Sequence, residues 1–355
     1  MKKAQARGYL LEIVLSKLIE INGYDVIRVA DNDEIVSKGN GLNVRGRGGF
    51  HQFDTLGEFK ITPPFVYPLR LFVEAKFYDS NKVGIDRVRM GVGILEDVNT
   101  NCSTVEMNEE ELSIEKYQYH YAIFSTSGFT EDAQRFAIAH KIHLIDLSGG
   151  EYKKIIDLIK QIVDALCSIS RGGSDYIPKD IFSSFKENFS DMIINGENNI
   201  FTYYIINKYC YIIDNLISID DLVSIEKLIS KLRVTINNRF IYLATINSPH
   251  VVPLFSKEEF NEELRRNPHQ NMVIVQSQNQ PNKWDIISIH NENISITVTL
   301  PHLLQRYMLP DLNNIEDTAI HIKENDIRKF VFIAYLDNVN PTLCTLTFDR
   351  SLRDK

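Results

Sequence analysis

The chain has 355 residues, 44% of them apolar, enough for full cores and against global disorder; two domains fit that length better than one. Its net charge of −8 argues against a generally basic nucleic-acid coat, and no apolar run approaches the length needed to span a bilayer. Four scattered cysteines (Cys102, Cys167, Cys210, Cys344) with no Cys-x-x-Cys argue against a zinc knuckle or a disulfide framework.

The N-terminus lacks the pattern of a secretory signal, because Arg7 and Glu12 interrupt the stretch after Lys2 and Lys3. A reduced, cytoplasmic protein is expected, with no membrane contact. Charge is uneven. Residues 1–90 hold 14 Lys/Arg against 11 Asp/Glu, whereas the remainder holds 25 against 36. Positive charge is therefore relatively concentrated in the first quarter of the chain.

Residues 4–22 read as an amphipathic helix, with Leu11, Val14, Leu15, Leu18 and Ile19 at helical spacing and Asn22-Gly23 as its stop. Glu12 borders the apolar stripe, either as a solvated flank or as an acid leaning over a site. Tyr24 to Ala30 reads as a first strand and residues 31–43 as a polar loop. In Val44-Arg45-Gly46-Arg47-Gly48-Gly49 the glycine spacing is not that of a dinucleotide fingerprint, and a strand follows where a helix should start. A phosphate-cradling Gly-x-x-x-x-Gly-Lys is also absent. Those glycines with Arg45 and Arg47 suit either close approach to a DNA phosphate or a flexible turn with solvated arginines.

Phe53 to Gly57 reads as a strand carrying Asp54, with Gln52 on the same face by alternation. His51 reads as a structural histidine. Prolines 63, 64 and 68 mark a connection to a second strand, Leu71 to Tyr78, on which Glu74 and Lys76 share a face. If the two strands pair, Asp54 meets Glu74 and Lys76. Cutting a phosphodiester needs a hard divalent cation, an activated water and stabilisation of charge on phosphoryl oxygens. Asp54 and Glu74 would supply oxygen ligands for Mg²⁺, with Mn²⁺ an alternative, and Lys76 a compact charge beside them. Taken alone, Glu-x-Lys also suits a surface ion pair on an ordinary strand.

Residues 83–98 read as a helix whose Arg87 stands near the edge of that site, either meeting phosphate or solvated. Residues 99–113 read as an acidic loop. Tyr119 to Ser125 reads as a buried strand, Thr130 or Ser127 as the cap of a helix through Ala139, Ile142 to Leu147 as a strand parallel to the previous one, and Tyr152 to Ile169 as a helix. His140 and His143 lack a third metal ligand.

Residues 1–165 resemble the catalytic domain of Mrr-type restriction endonucleases, within the PD-(D/E)XK nuclease superfamily. Three stretches carry the resemblance: the first helix ending in Asn22-Gly23-Tyr24-Asp25-Val26; Gly48-Gly49 separated by four residues from Asp54, followed by Glu74-Ala75-Lys76; and Tyr121-Ala-Ile-Phe-Ser-Thr-Ser-Gly-Phe-Thr, then Ala133, Ala137 and Ile142 to Asp146. The resemblance implies an α/β fold with a restriction-endonuclease-like mixed central sheet flanked by helices, and Mg²⁺-dependent cleavage of DNA. By motif position it makes Asp54 and Glu74 metal ligands, Lys76 the catalytic lysine and Glu12 a further acid. Glutamine is frequent in the family where Glu74 stands; glutamate is the wider superfamily's residue.

Arg171-Gly172-Gly173-Ser174 reads as a hinge between the 1–170 nuclease domain and a separate α+β domain over 175–355. In that second region residues 179–194 and 198–236 read as helices. Strands follow at 272–276, 284–290, 294–300, 330–336 and 343–348, with helices at 303–308 and 320–327. Trp284 and the tyrosines suit base stacking or core packing. The expectation is a DNA endonuclease in restriction or defence, with Arg45, Arg47, Gln52 and Arg87 on nucleic acid. A homodimer would suit two cuts on a duplex. Two rivals are the same site turned on RNA or single strands, and a non-catalytic sensor on a nuclease fold.

Overall fold

A computed structural model describes residues 1–355 apart from 32, 40, 102, 108–109, 170–174, 197–218, 239, 247–249, 257, 277–282, 289–294, 301–326, 338–339 and 350–355. The fold is mixed α/β, built on a five-stranded sheet and a seven-stranded closed barrel. No described helix is long and apolar enough to cross a membrane.

Helix α1 (Lys3–Ile21) leads into β1 (Tyr24–Val26), shorter than the strand expected over 24–30. Gly23 has φ +89°, and a Cβ there would stand 2.9 Å from Cγ2 of Ile333, so the helix stop requires glycine twice over. Residues 31–43, expected as a loop, instead contain β2 (Ile35–Lys38) and the start of β3 (Gly41–Arg45), turned at Gly39 with φ +66°. Their apolar residues find a core: Ile35 and Val44 lie opposite one another and are fully buried. A short β4 (Phe50–Gln52) completes a three-stranded antiparallel sheet with them.

The central sheet runs β1, β5 (Thr55–Phe59), β6 (Leu69–Lys76), β9 (Gln118–Ser125), β10 (Ile142–Asp146). Its first three strands pair antiparallel; β9 and β10 join parallel, as the strand–helix–strand reading of 119–147 expected. Residues 99–113 hold a hairpin, β7 (Ser103–Met107) and β8 (Glu110–Ile114), where a loop was expected. Alternation along β6 and β9 divides the core. Leu71, Val73, Ala75, Ala122 and Phe124 face α1 and α4 (Gly150–Ile169). Phe72, Tyr121 and Ile123 face the layer of α2 (Ile85–Asn99) and α3 (Glu131–Ala139). Of the two expected caps, Thr130 is the one that caps α3, accepting a hydrogen bond from the Ala133 N–H.

The core does not stop at residue 170. Helices α5 (Lys179–Ile194) and α6 (Ile219–Asn238) bury Phe182, Phe185, Phe189, Leu222, Ile225 and Ile229 in the same apolar cluster as α1 and α4. The expected hinge at 171–174, residues 198–218 of the expected second helix, the expected helix 303–308 and nearly all of 320–327 lie outside the described residues. The barrel comprises β11 (Phe240–Ile246), β12 (His250–Ser256), β13 (His269–Gln276), β14 (Lys283–Ser288), β15 (Ser295–Thr299), β16 (Lys329–Tyr335) and β17 (Pro341–Phe348), with α7 (Glu258–Arg266) after β12. It closes in the order β11-β12-β15-β14-β13-β17-β16. Trp284 is buried in its core, which takes it out of reach of a base. The Asn22 side chain bridges the two halves, donating to Ile241 O at 3.0 Å and accepting from Leu243 N at 2.7 Å.

Candidate active site

The end of β6 is the meeting point of five chemically active side chains. Glu74 is buried at 7% exposure, on the face that also carries Phe72 and Tyr121, and Lys76 emerges two residues on. Lys76 Nζ lies 2.5 Å from Glu74 Oε1, and the Tyr121 hydroxyl donates to Glu74 Oε2 at 2.5 Å. Asp54 sits at the bend before β5, where Oδ2 accepts the Ala75 N–H at 2.7 Å. The antiparallel register Thr55↔Val73 places Asp54 beside the Glu74–Lys76 end of the strand. Glu12 approaches from α1, whose backbone is tied to β5 by Thr55 Oγ1 donating to the Glu12 carbonyl at 3.3 Å.

The electrostatics follow from three carboxyls gathered around one lysine. Burial pushes the Glu12 carboxyl up to about 8; neighbouring Asp54 adds to the rise, while Lys186 and Lys76 oppose it. Asp54 is also raised by burial, against the Ala75 hydrogen bond and Lys76. Burial and then the charge of Glu74 hold the Tyr121 phenol far above its usual range, so Tyr121 remains a donor. Among the described residues no group of three or more His, Cys, Asp and Glu is arranged to hold a metal. The donor set nevertheless fits a hard divalent cation. It is all oxygen, and a cation between Asp54 and Glu74 would reverse the penalty that burial imposes on the ionised acids.

The strand end is braced from β9. The Lys76 carbonyl accepts from Thr126 N at 3.1 Å, and the Thr126 hydroxyl donates to the Tyr78 carbonyl at 2.8 Å. The Phe72 and Tyr121 rings stack, with centroids 5.0 Å apart and planes at 14°.

Three of the expected nucleic-acid contacts stand elsewhere. Gln52 was expected on the face of Asp54, but the chain bends between them. Gln52 pairs with Asn43 in the β2–β3–β4 sheet and shares its outward face with exposed Arg45 and Phe50. Arg47 is exposed on the glycine turn. That turn does not leave its amides open for a phosphate: the Asp97 carboxylate on α2 accepts the Gly48 N–H at 2.7 Å and contacts His51 Nε2 at 2.7 Å. Asp97 is held below the usual carboxylate range mainly by that His51 hydrogen bond. His51 is thus a brace. Arg87, exposed at the start of α2, is near enough for its charge to reach Tyr121. His143 stacks on His120 with ring centroids 5.8 Å apart.

Sequence reasoning gave Tyr121 no role in the site, although it opens one of the stretches that carry the resemblance, and did not name Asp97. Each meets its partner across more than forty positions.

No protein-family model and no curated protein matches this chain. Among solved structures, a crystal structure of a protein of unknown function, AF1548, aligns with 64% of this chain and 98% of its own, at 15% identity and a TM-score of 0.34.

Proposed function

We propose that the protein is a metal-dependent endonuclease that hydrolyses phosphodiester bonds in DNA, of the Mrr-like type within the PD-(D/E)XK nucleases, acting in restriction or defence against foreign DNA. The observation that carries the reading is the convergence of Asp54, Glu74 and Lys76 at one end of a hairpin, with Glu12 leaning in from α1. An ordinary surface ion pair does not call for a second, half-buried acid and a buried tyrosine donor around it.

Asp54 and Glu74 would hold Mg²⁺ or Mn²⁺, which when bound supplies a Lewis acid and a water of lowered pKa. The chain's own groups do the rest. The Ala75 N–H and the Tyr121 hydroxyl each fix one oxygen of Asp54 and Glu74, so the carboxylates are aimed before substrate arrives. Lys76 stands beside Glu74, where its charge opposes the charge that builds on the phosphoryl oxygens. Glu12, largely protonated at neutral pH in the metal-free protein, is a proton reservoir beside Asp54. Arg87 lies on the side where a phosphate flanking the cut would pass, and Arg45, Arg47 and Gln52 offer a second, separate contact surface.

The test is incubation of purified protein with methylated and unmethylated plasmid, with and without Mg²⁺, beside Asp54→Ala and Lys76→Ala. Mg²⁺-dependent cutting that both substitutions abolish is expected. Intact DNA with cleaved RNA would move the site to the other nucleic acid, and no cleavage of either would leave a non-catalytic protein.

A further inference from the structure

Helix α5 lies beyond the stretch that resembles a nuclease, yet it packs directly on the helix that carries Glu12. Phe182 meets the edge of Tyr9 with ring centroids 5.8 Å apart, and at the far end Lys17 Nζ donates to the Ile194 carbonyl at 3.3 Å. Between these anchors Lys186 Nζ stands 4.3 Å from the centre of the Tyr9 ring. Tyr9 and Glu12 are three residues apart on α1, so their side chains are neighbours on one helix face. Lys186 is exposed, and no described residue forms an ion pair with it. Its charge is felt at Glu12 together with that of Lys76, so the acid is within reach of two lysines, one from each half of the chain.

We propose that Lys186 is a substrate-contacting lysine of the active site, supplied by the C-terminal half of the chain, and that it grips a DNA phosphate next to the one being cut. The inference rests on the nuclease reading and deepens it. A lysine retained only to hold α5 would have little reason to keep its ammonium at the open rim of an acidic site; Phe182, Phe185 and Phe189 already seat the helix. The flat Tyr9 ring holds the ammonium by a cation–π contact and leaves its remaining donors free for phosphate oxygen. The three carboxyls nearby would otherwise repel the DNA backbone, and a second cation besides Lys76 offsets that repulsion. The arrangement also makes cleavage depend on α5 being seated, which ties the nuclease half to the rest of the molecule.

The experiment compares wild type, Lys186→Ala, Lys186→Met and Lys186→Arg. Cleavage of a plasmid is followed with Mg²⁺, and binding of a duplex oligonucleotide is followed with Ca²⁺ in its place, across a range of salt. Lys186→Met keeps the stem over Tyr9 and guards against loss of packing in the alanine variant. Removing the charge is expected to raise KM and Kd roughly 5- to 20-fold, more than it lowers kcat. It should also make the dependence of log Kd on log salt shallower by about one, the slope of one phosphate contact. Lys186→Arg should recover most of the affinity. Unchanged KM, Kd and salt slope in Lys186→Met would overturn the inference while leaving the nuclease intact. Wild-type protein that binds the duplex but never cuts would sink the nuclease reading, and the binding series would still decide Lys186.

Discussion

Replacing Tyr121 by Phe removes one oxygen atom and nothing else from the site. The ring can keep its stack on Phe72, and its close approach to Gly91, where a Cβ would come within 2.8 Å of Tyr121 Cε1, is unaltered. What is lost is the hydrogen bond to Glu74 Oε2. Glu74 is 7% exposed, so water has little access to replace the donor. A hydrogen bond to a charged group contributes about 1.5–3 kcal/mol, and the loss should appear in full in urea denaturation of the metal-free protein. The functional effect is separate. Without its second anchor Glu74 swings toward Lys76, and loss of such an outer partner typically weakens metal affinity or activity about 10- to 100-fold. Plasmid cleavage titrated with Mg²⁺ should therefore show a raised half-saturation as well as a slower maximum. In a Glu74→Ala background the same substitution should cost much less, because the acceptor is already gone. Equal stability of wild type and Tyr121→Phe, or an equal cost in both backgrounds, would refute the claim that Tyr121 orients Glu74.

Two further outcomes test the frame around the site. At the other end of β6, Arg70 is 4% exposed, bonds Glu58 Oε2 at 3.0 Å and the Tyr119 hydroxyl at 3.2 Å, stands 3.6 Å from Glu34, and stacks on the Tyr117 ring. Arg70→Met strands the buried Glu34 and should cost about 3–5 kcal/mol in denaturant unfolding; a loss under about 1 kcal/mol would mean that the cluster is not coupled. On β9, burial lowers the His120 pKa to about 4, with His143 and Lys141 adding to the fall. The folded state thus favours the neutral ring, so its contribution is complete above the unfolded pKa of about 6.5 and is lost as pH falls through about 4. Allowing for partial exposure, the loss is on the order of 2 kcal/mol, and His120→Gln should flatten the stability profile between those limits. Parallel profiles would show that His120 does not titrate there.

Much of the site was legible because it is local. Glu74 and Lys76 lie on β6 and Asp54 just before β5, two strands joined by a proline-marked connection, and antiparallel pairing of such neighbours brings their ends together whatever the rest of the chain does. Glu12 was readable as bordering the buried stripe for a similar reason, since helical periodicity alone fixes its direction. The polar segment 31–43 was misread because its strands are short and only half apolar, and Ile35 and Val44 gain their burial from α2 and the sheet rather than from each other. The glycine turn was legible as a turn but not as occupied, because Asp97 reaches it from a helix nearly fifty residues away.

Periodicity and turn chemistry by themselves determined the helices flanking the sheet, the parallel β9–β10 pair and the strands that became five of the barrel's seven. Those signals are written in neighbouring residues, where spacing of 2 or 3.6 is enough. Only the tertiary structure decided that Tyr121 donates to Glu74, that the barrel closes through β11 and β16, and that α5 returns to α1 with Lys186 over Tyr9. Each of these joins positions far apart in the chain. Which distant surfaces meet is settled by burial of the whole apolar area, a quantity that no short window of sequence contains.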